Sequence, residues 1–242
     1  MVRDMQIQQS LRTQQSEGPL PEIHQELADA SHQRPRPDVD LGARSSTSVG
    51  PTQSATHHAR LRKGTSLHVL FVCTGNICRS PTAERLAIAK AAELGVDGFC
   101  ASSAGTRALV GHPIHPEAAR VIENRGGRTA SFAARRLSAR IAADADLILT
   151  MTQAHADAVL ETAPRQLRRT FLLSEVAHLV STHDVVNIDD LVALRPQSTG
   201  RDRSDVPDPI GGSSSVFDEV GAQIAELLDP VLAFCKRATP PS

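Results

Sequence analysis

The sequence predicts an α/β protein with a single doubly wound domain. A four-stranded parallel sheet carries helices on both faces, behind a disordered N-terminal extension over residues 1–65. Three observations lead there. A chain of 242 residues has room for one ordinary domain plus tails. From residue 66 onward, short apolar runs alternate with stretches of helical periodicity, the pattern of strands joined by right-handed helical crossovers. Before it, Gln, Ser, Arg, Pro and His crowd a segment without a single Phe, which has too little apolar surface to offset the entropy of ordering it.

The elements follow in order. Within the extension, residues 20–30 are the one stretch that suggests a short helix. LHVLFVC (67–73) is a strand that runs straight into a loop, and PTAERLAIAKAAELG (81–95) is a helix closed by glycine. FCASSAG (99–105) suits a second strand, HPEAARVIENRG (115–126) a helix, and ADLILTM (145–151) a third strand. A helix over 153–161 leads to RTFLL (169–173) as the fourth strand. SEVAHLV and IDDLVAL read as helices, the polar, proline-punctuated 195–209 as a loop, and 215–237 as a closing amphipathic helix. No internal repeat is present. The domain is expected to span 66–238.

Composition excludes several function classes. A formal net charge of -1 gives no electrostatic case for a nucleic-acid partner. No run of about 18 apolar residues is present, so no membrane insertion is expected. The N-terminal segment lacks a secretory h-region and carries Asp4, Glu17, Glu22 and Glu26, which a transit peptide avoids. Cys73, Cys78, Cys100 and Cys235 form no secreted disulfide framework, so the expected compartment is the reducing cytoplasm. No His/Cys cluster has metal-site spacing; neither metal nor cofactor is expected. Nothing specifies an oligomeric state.

The chemistry concentrates in FVCTGNICRSPTAER (71–85). Ligands of open parallel sheets collect at the carboxyl ends of strands, where Cys73 sits. Cys73, five residues, then Arg79 and Ser80 stand just before a helix that Pro81 can open. Amides from Thr74 to Arg79, including those of Gly75, Asn76, Ile77 and Cys78, can turn inward as a nest for an anion, aided by the helix N-terminus. Arg79 offers a planar fork for two phosphate oxygens. The donors that hold a dianion also favour a thiolate over a thiol at Cys73, and the Ser80 hydroxyl can donate to that sulfur. Asn76 can brace the loop from inside.

VCTGNICRSPTAE, about thirteen consecutive positions, resembles the signature of the low-molecular-weight protein tyrosine phosphatases. With later segments in order, the resemblance covers most of residues 67–236 and says nothing about the extension. It implies that Cys73 attacks phosphorus to form a phosphocysteine, while Arg79 and the loop amides hold the three equatorial oxygens. The partner implied is a phosphorylated protein. Bacterial relatives often act on kinases and transport proteins of polysaccharide export. The family's general acid comes from an Asp-Pro pair late in the domain, here Asp208-Pro209, with Asp205 as its rival. SSAGT (102–106) matches a family segment whose first Ser of SAGT bonds the loop Asn, a role carried to Ser103 acting on Asn76. Cys78 corresponds to a second loop thiol that can pair with Cys73 on oxidation, against the plainer role of a small buried filler. Cys100 and Cys235 are expected in the core, and His112 and His115 in solvent.

Departures from the family bear on substrate. The chain contains no Tyr and no Trp, so the aromatic walls that hold a phosphotyrosine ring are absent, leaving Leu109 and Ile210 to pack on it. A family His before the ARQ-like stretch is Phe132 here. DPIGGS (208–213) resembles the arginine phosphatases of the same fold, whereas Ile77 stands where those carry Thr. An arsenate reductase would need two further cysteines close together, and Cys100 and Cys235 do not fit. A phosphate-binding module without turnover would be expected to have lost Cys73, Arg79 or Asp208.

Overall fold

The structure, a computed structural model, describes residues 66–200 and 202–239. The expected N-terminal extension, with its suggested helix over 20–30, lies outside them.

Four strands pair in parallel among the described residues: β1 (Leu67–Cys73), β2 (Phe99–Gly105), β3 (Leu147–Thr150) and β4 (Thr170–Leu172), in the order β2-β1-β3-β4. Leu67 pairs with Phe99 and Cys73 with Gly105; on the other side, Val69 pairs with Leu147 and Val72 with Thr150. Strand order therefore reverses at β1, and the crevice where a doubly wound sheet holds its ligand opens beyond the carboxyl end of that strand.

Among the described residues, seven helices connect and cover the sheet: α1 (Arg79–Glu93), α2 (Pro116–Asn124), α3 (Ala139–Ala143), α4 (Gln153–Thr162), α5 (Leu173–Thr182), α6 (Ile188–Leu194) and α7 (Ser214–Ala238). Short 3₁₀ segments run over Pro164–Arg169 and Arg195–Gln197. The central strand shows why both faces need cover. Val69, Leu70, Phe71 and Val72 are all fully buried, and successive side chains point to opposite faces. Val69, Phe71 and Cys73 pack with Leu86 of α1, Val176 of α5, and Ile224 and Leu228 of α7. Leu70 and Val72 pack with Ala142 of α3, Ile148 of β3 and Val159 of α4.

Two details differ from the sequence expectation. α1 begins at Arg79 rather than Pro81, because proline is tolerated throughout a first turn whose amides need no helical acceptor. The five-residue α3, capped by Ser138 Oγ accepting from the amide of Ile141 at 3.3 Å, is too short to show a period in the sequence. Among the described residues no helix is long and apolar enough to cross a membrane.

Candidate active site

The loop from Thr74 to Cys78 joins β1 to α1, and its carbonyls face outward. The carbonyl oxygens of Cys73, Thr74, Gly75 and Ile77 accept from the amides of Thr106 (2.9 Å), Arg107 (2.9 Å), Leu109 (3.0 Å) and His115 (2.8 Å). Because a peptide unit is planar and trans, a carbonyl turned out turns the next amide in. Among the described residues, the amides of Thr74 to Cys78 have no protein acceptor. Those of Thr74, Gly75, Asn76 and Cys78 each follow an outward carbonyl in the loop that starts from Cys73, whose residue is 2% exposed. That arrangement is an anion nest completed by the N-terminus of α1.

The ring is braced from inside. Asn76 is fully buried in the left-handed region at φ 55, where Asn is better tolerated than most side chains. Its Nδ2 donates to Ser80 Oγ (3.0 Å) and Ser103 Oγ (2.8 Å), and its Oδ1 accepts from the amide of Arg135 (2.8 Å), so both amide hydrogens and the carbonyl are engaged. Ser80 Oγ, receiving from Asn76, keeps its own hydrogen for Cys73 Sγ at 2.9 Å when the sulfur is ionised. Ser103 Oγ donates onward to Glu84 Oε2 at 2.5 Å. Burial, the largest influence, pushes the Glu84 carboxyl above its usual range; the Ser103 hydrogen bond pulls the other way. Gly105 approaches so closely that a Cβ there would lie 2.5 Å from the Thr74 carbonyl oxygen.

Arg79 is 5% exposed. Its Nη1 donates to the Val206 carbonyl (3.1 Å) and its Nη2 to Asp208 Oδ2 (2.5 Å), while Nε is buried without a partner among the described residues and is a donor left for an oxyanion. The two candidate acids occupy different places. Asp205 Oδ1 accepts from the amide of Gln153 at the start of α4 (2.8 Å), whereas Asp208 reaches Arg79 with its side chain 47% exposed.

Cys78 packs with Ile114, Ala118, Val121, Ile122 and Phe217, and Ile77 lies against the same cluster. Burial, then the neighbouring Cys73 and Asp208, push the Cys78 thiol up to about 12. Cys73 and Cys78 are both free thiols. Cys235 is fully buried as expected, but Cys100 is exposed, because β2 is the edge of the sheet. His112 is exposed, but His115 is not free in solvent: it caps α2 through Nδ1 and stacks on Phe217 with ring centroids 4.9 Å apart. Leu109 and Ile210 are each about half exposed, Leu109 bonded to the loop at Gly75 and Ile210 two residues after Asp208.

The structure thus brings together Cys73, Thr74, Gly75, Asn76, Ile77, Cys78, Arg79, Ser80, Ser103 and Asp208. It adds Glu84, Gly105, Arg135 and His155, which the sequence alone does not single out. Glu84 follows Ser80 by one helical turn inside the same motif, a spacing that could have flagged it. His155 carries no such signal. Among the described residues no group of three His, Cys, Asp or Glu is placed to hold a metal ion.

Residues 68–239 match the family described as low molecular weight phosphotyrosine protein phosphatase. The Etp low molecular weight protein-tyrosine-phosphatase of Escherichia coli is 40% identical over 107 residues, 44% of this chain and 69% of that protein. The Wzb enzyme of Salmonella typhi is 41% identical over 104 residues, 43% of this chain and 66% of that one. Among solved structures, a low molecular weight protein tyrosine phosphatase from T. tengcongensis superposes with a TM-score of 0.57 at 30% identity, covering 69% of this chain and 99% of that one. The YwlE arginine phosphatase from Geobacillus stearothermophilus superposes with a TM-score of 0.55 at 27% identity, covering 69% and 91%.

Proposed function

This chain belongs to the low molecular weight phosphotyrosine protein phosphatase family, and on that premise we propose that it hydrolyses phosphotyrosine in proteins through a phosphocysteine on Cys73. The observation that carries the reading is the buried sulfur of Cys73, 2.9 Å from a hydroxyl with a hydrogen to give, at the start of a loop whose carbonyls bond outward.

The steps follow from what each group can do. The Cys73 thiolate attacks phosphorus, forming the S–P bond as the P–O bond to the leaving group breaks. The loop amides and the Arg79 guanidinium hold the three equatorial oxygens, donors already in place where charge accumulates. Asp208 gives its proton to the leaving oxygen, then takes one from the water that attacks the phosphocysteine. The S–P bond breaks, phosphate leaves, and Ser80 receives the returning thiolate with its hydrogen bond. Asp208 serves this role better than Asp205, whose carboxylate is engaged by the amide of Gln153. Asn76, Ser103 and Glu84 keep the loop in shape. No step calls for a metal. The substrate is a phosphorylated protein, and the proposed compartment is the cytoplasm.

A second reading has its own support. DPIGGS after the general acid and the likeness to an arginine phosphatase favour phosphoarginine. Ile77 favours phosphotyrosine, because it belongs to the loop that holds the phosphoryl group itself. Initial rates on phosphotyrosine and phosphoarginine peptides, with Cys73→Ser as control, decide between them. Faster turnover of phosphotyrosine supports the main reading, and faster turnover of phosphoarginine replaces it with the second.

A further inference from the structure

The mechanism leaves unused one buried titratable side chain that touches the phosphate loop: His155, 6% exposed. It stands in the first turn of α4, just after β3, whose Thr150 pairs with Val72, the residue before the nucleophile. Hydroxyls hold the ring at both ends. Nδ1 is 2.8 Å from Thr152 Oγ1, and Nε2 is 2.8 Å from Thr74 Oγ1.

In the tautomer with Nδ1 as acceptor, Thr152 Oγ1, the N-cap of α4, accepts the amide hydrogen of His155 at 3.2 Å and gives its own hydrogen to Nδ1. Nε2 then carries the ring proton and donates to Thr74 Oγ1. The hydroxyl hydrogen of Thr74 is left over, and among the described residues no protein acceptor takes it. Thr74 is half-buried, the first residue after the nucleophile. The ring stays neutral over a wide range: burial, then Arg79, lowers its pKa to about 4, with Arg107 acting the same way and Asp205 and Asp208 opposing.

The geometry points to His155 as a positioning residue for phosphoryl transfer, one that turns the Thr74 side chain so that its hydroxyl hydrogen is offered to the substrate. The inference rests on the phosphatase reading above. It also pins the residue whose amide is the first donor of the ring.

The test uses the full chain with His155→Phe, His155→Gln, Thr74→Val and the double variant His155→Phe with Thr74→Val. For each, kcat and KM on para-nitrophenyl phosphate, affinity for inorganic phosphate and Tm are measured. His155→Phe and Thr74→Val should each lower kcat/KM about five- to tenfold, the size of one hydrogen bond, and the double variant should lose no more than either single one. His155→Gln, whose side-chain amide can donate to Thr74, should recover to within about threefold of the parent, as a retained donor implies. Losses that multiply in the double variant overturn the proposal, as does a Thr74→Val protein with unchanged kinetics. Should His155→Phe not fold, Thr74→Val and His155→Gln still decide. If the parent binds phosphate but hydrolyses nothing, the phosphatase reading fails instead, and the phosphate affinities of the same proteins still test the coupling.

Discussion

Gly105→Ala tests how closely the loop's position governs activity. The added Cβ would lie 2.5 Å from the Thr74 carbonyl oxygen, 2.9 Å from the Asn76 nitrogen and 3.0 Å from the Ala108 Cβ. Two of those three neighbours are backbone of the phosphate loop. Gly105 cannot easily yield, because it ends β2 opposite Cys73, and its amide and carbonyl are tied to the Arg135 carbonyl (3.0 Å) and the Leu137 amide (2.8 Å). Reaching even 3.0 Å from the carbonyl takes about 0.5 Å of movement, and ordinary contact at 3.4 Å takes about 0.9 Å. Misplacing catalytic groups by about 1 Å costs on the order of 100-fold. kcat/KM on an aryl phosphate should therefore fall about 10- to 100-fold, with overpacking removing roughly 1–3 kcal/mol of stability. Gly95→Ala is the control. Gly95 has φ 61, and a Cβ added there would meet nothing within 4 Å, so this variant should lose about 1–2 kcal/mol of stability from left-handed strain and keep its kcat. A Gly105→Ala protein within about twofold of the parent in kcat/KM and phosphate affinity, well below the loss expected for a displaced loop, would refute the reasoning.

Other outcomes follow from the same contacts. Asp208→Asn should lower kcat on phosphotyrosine peptides by about 10²- to 10⁴-fold, the usual contribution of a general acid, whereas Asp205→Ala should chiefly lower Tm by releasing the start of α4. Equal kinetic losses in the two would count against the assignment of roles. Brief alkylation of the native protein at neutral pH, read by peptide mass mapping, should spare Cys78 and Cys235, both buried with thiols pushed up to about 12; early labelling of either would contradict the described packing. Burial raises the Glu84 carboxyl above its usual 4.5. The native state then binds more protons than the unfolded chain between 4.5 and that raised value, so this group makes stability fall as pH rises through the window. Glu84→Gln should flatten the fall in a urea-unfolding series, and an unchanged slope would show that Glu84 ionises normally.

The cradle is legible in the sequence because its parts are local. Cys73 to Ser80 is one continuous segment, and a strand, a glycine-bearing loop and a helix start suffice to aim its amides inward. Ser103 is legible through the SAGT segment, although its partner Asn76 is 27 residues away. His155 is not, because it lies 81 residues from Thr74 and only two crossovers and the β1–β3 pairing bring them together. The exposure of Cys100 escapes for a related reason: an apolar run reveals a strand but not whether that strand ends up at the edge of its sheet. His115 between two prolines resembles loop composition, yet the second proline opens α2 and makes the His its cap.

Trapping the covalent intermediate tests the central claim most directly. The protein is mixed with an aryl phosphate carrying labelled phosphorus, quenched by denaturation within a turnover, and digested for mass mapping. Phosphate on the peptide containing Cys73, absent from Cys73→Ala and more abundant in Asp208→Asn with a good leaving group, is the predicted result. Hydrolysis that proceeds without labelling Cys73, or that survives Cys73→Ser, would contradict the account.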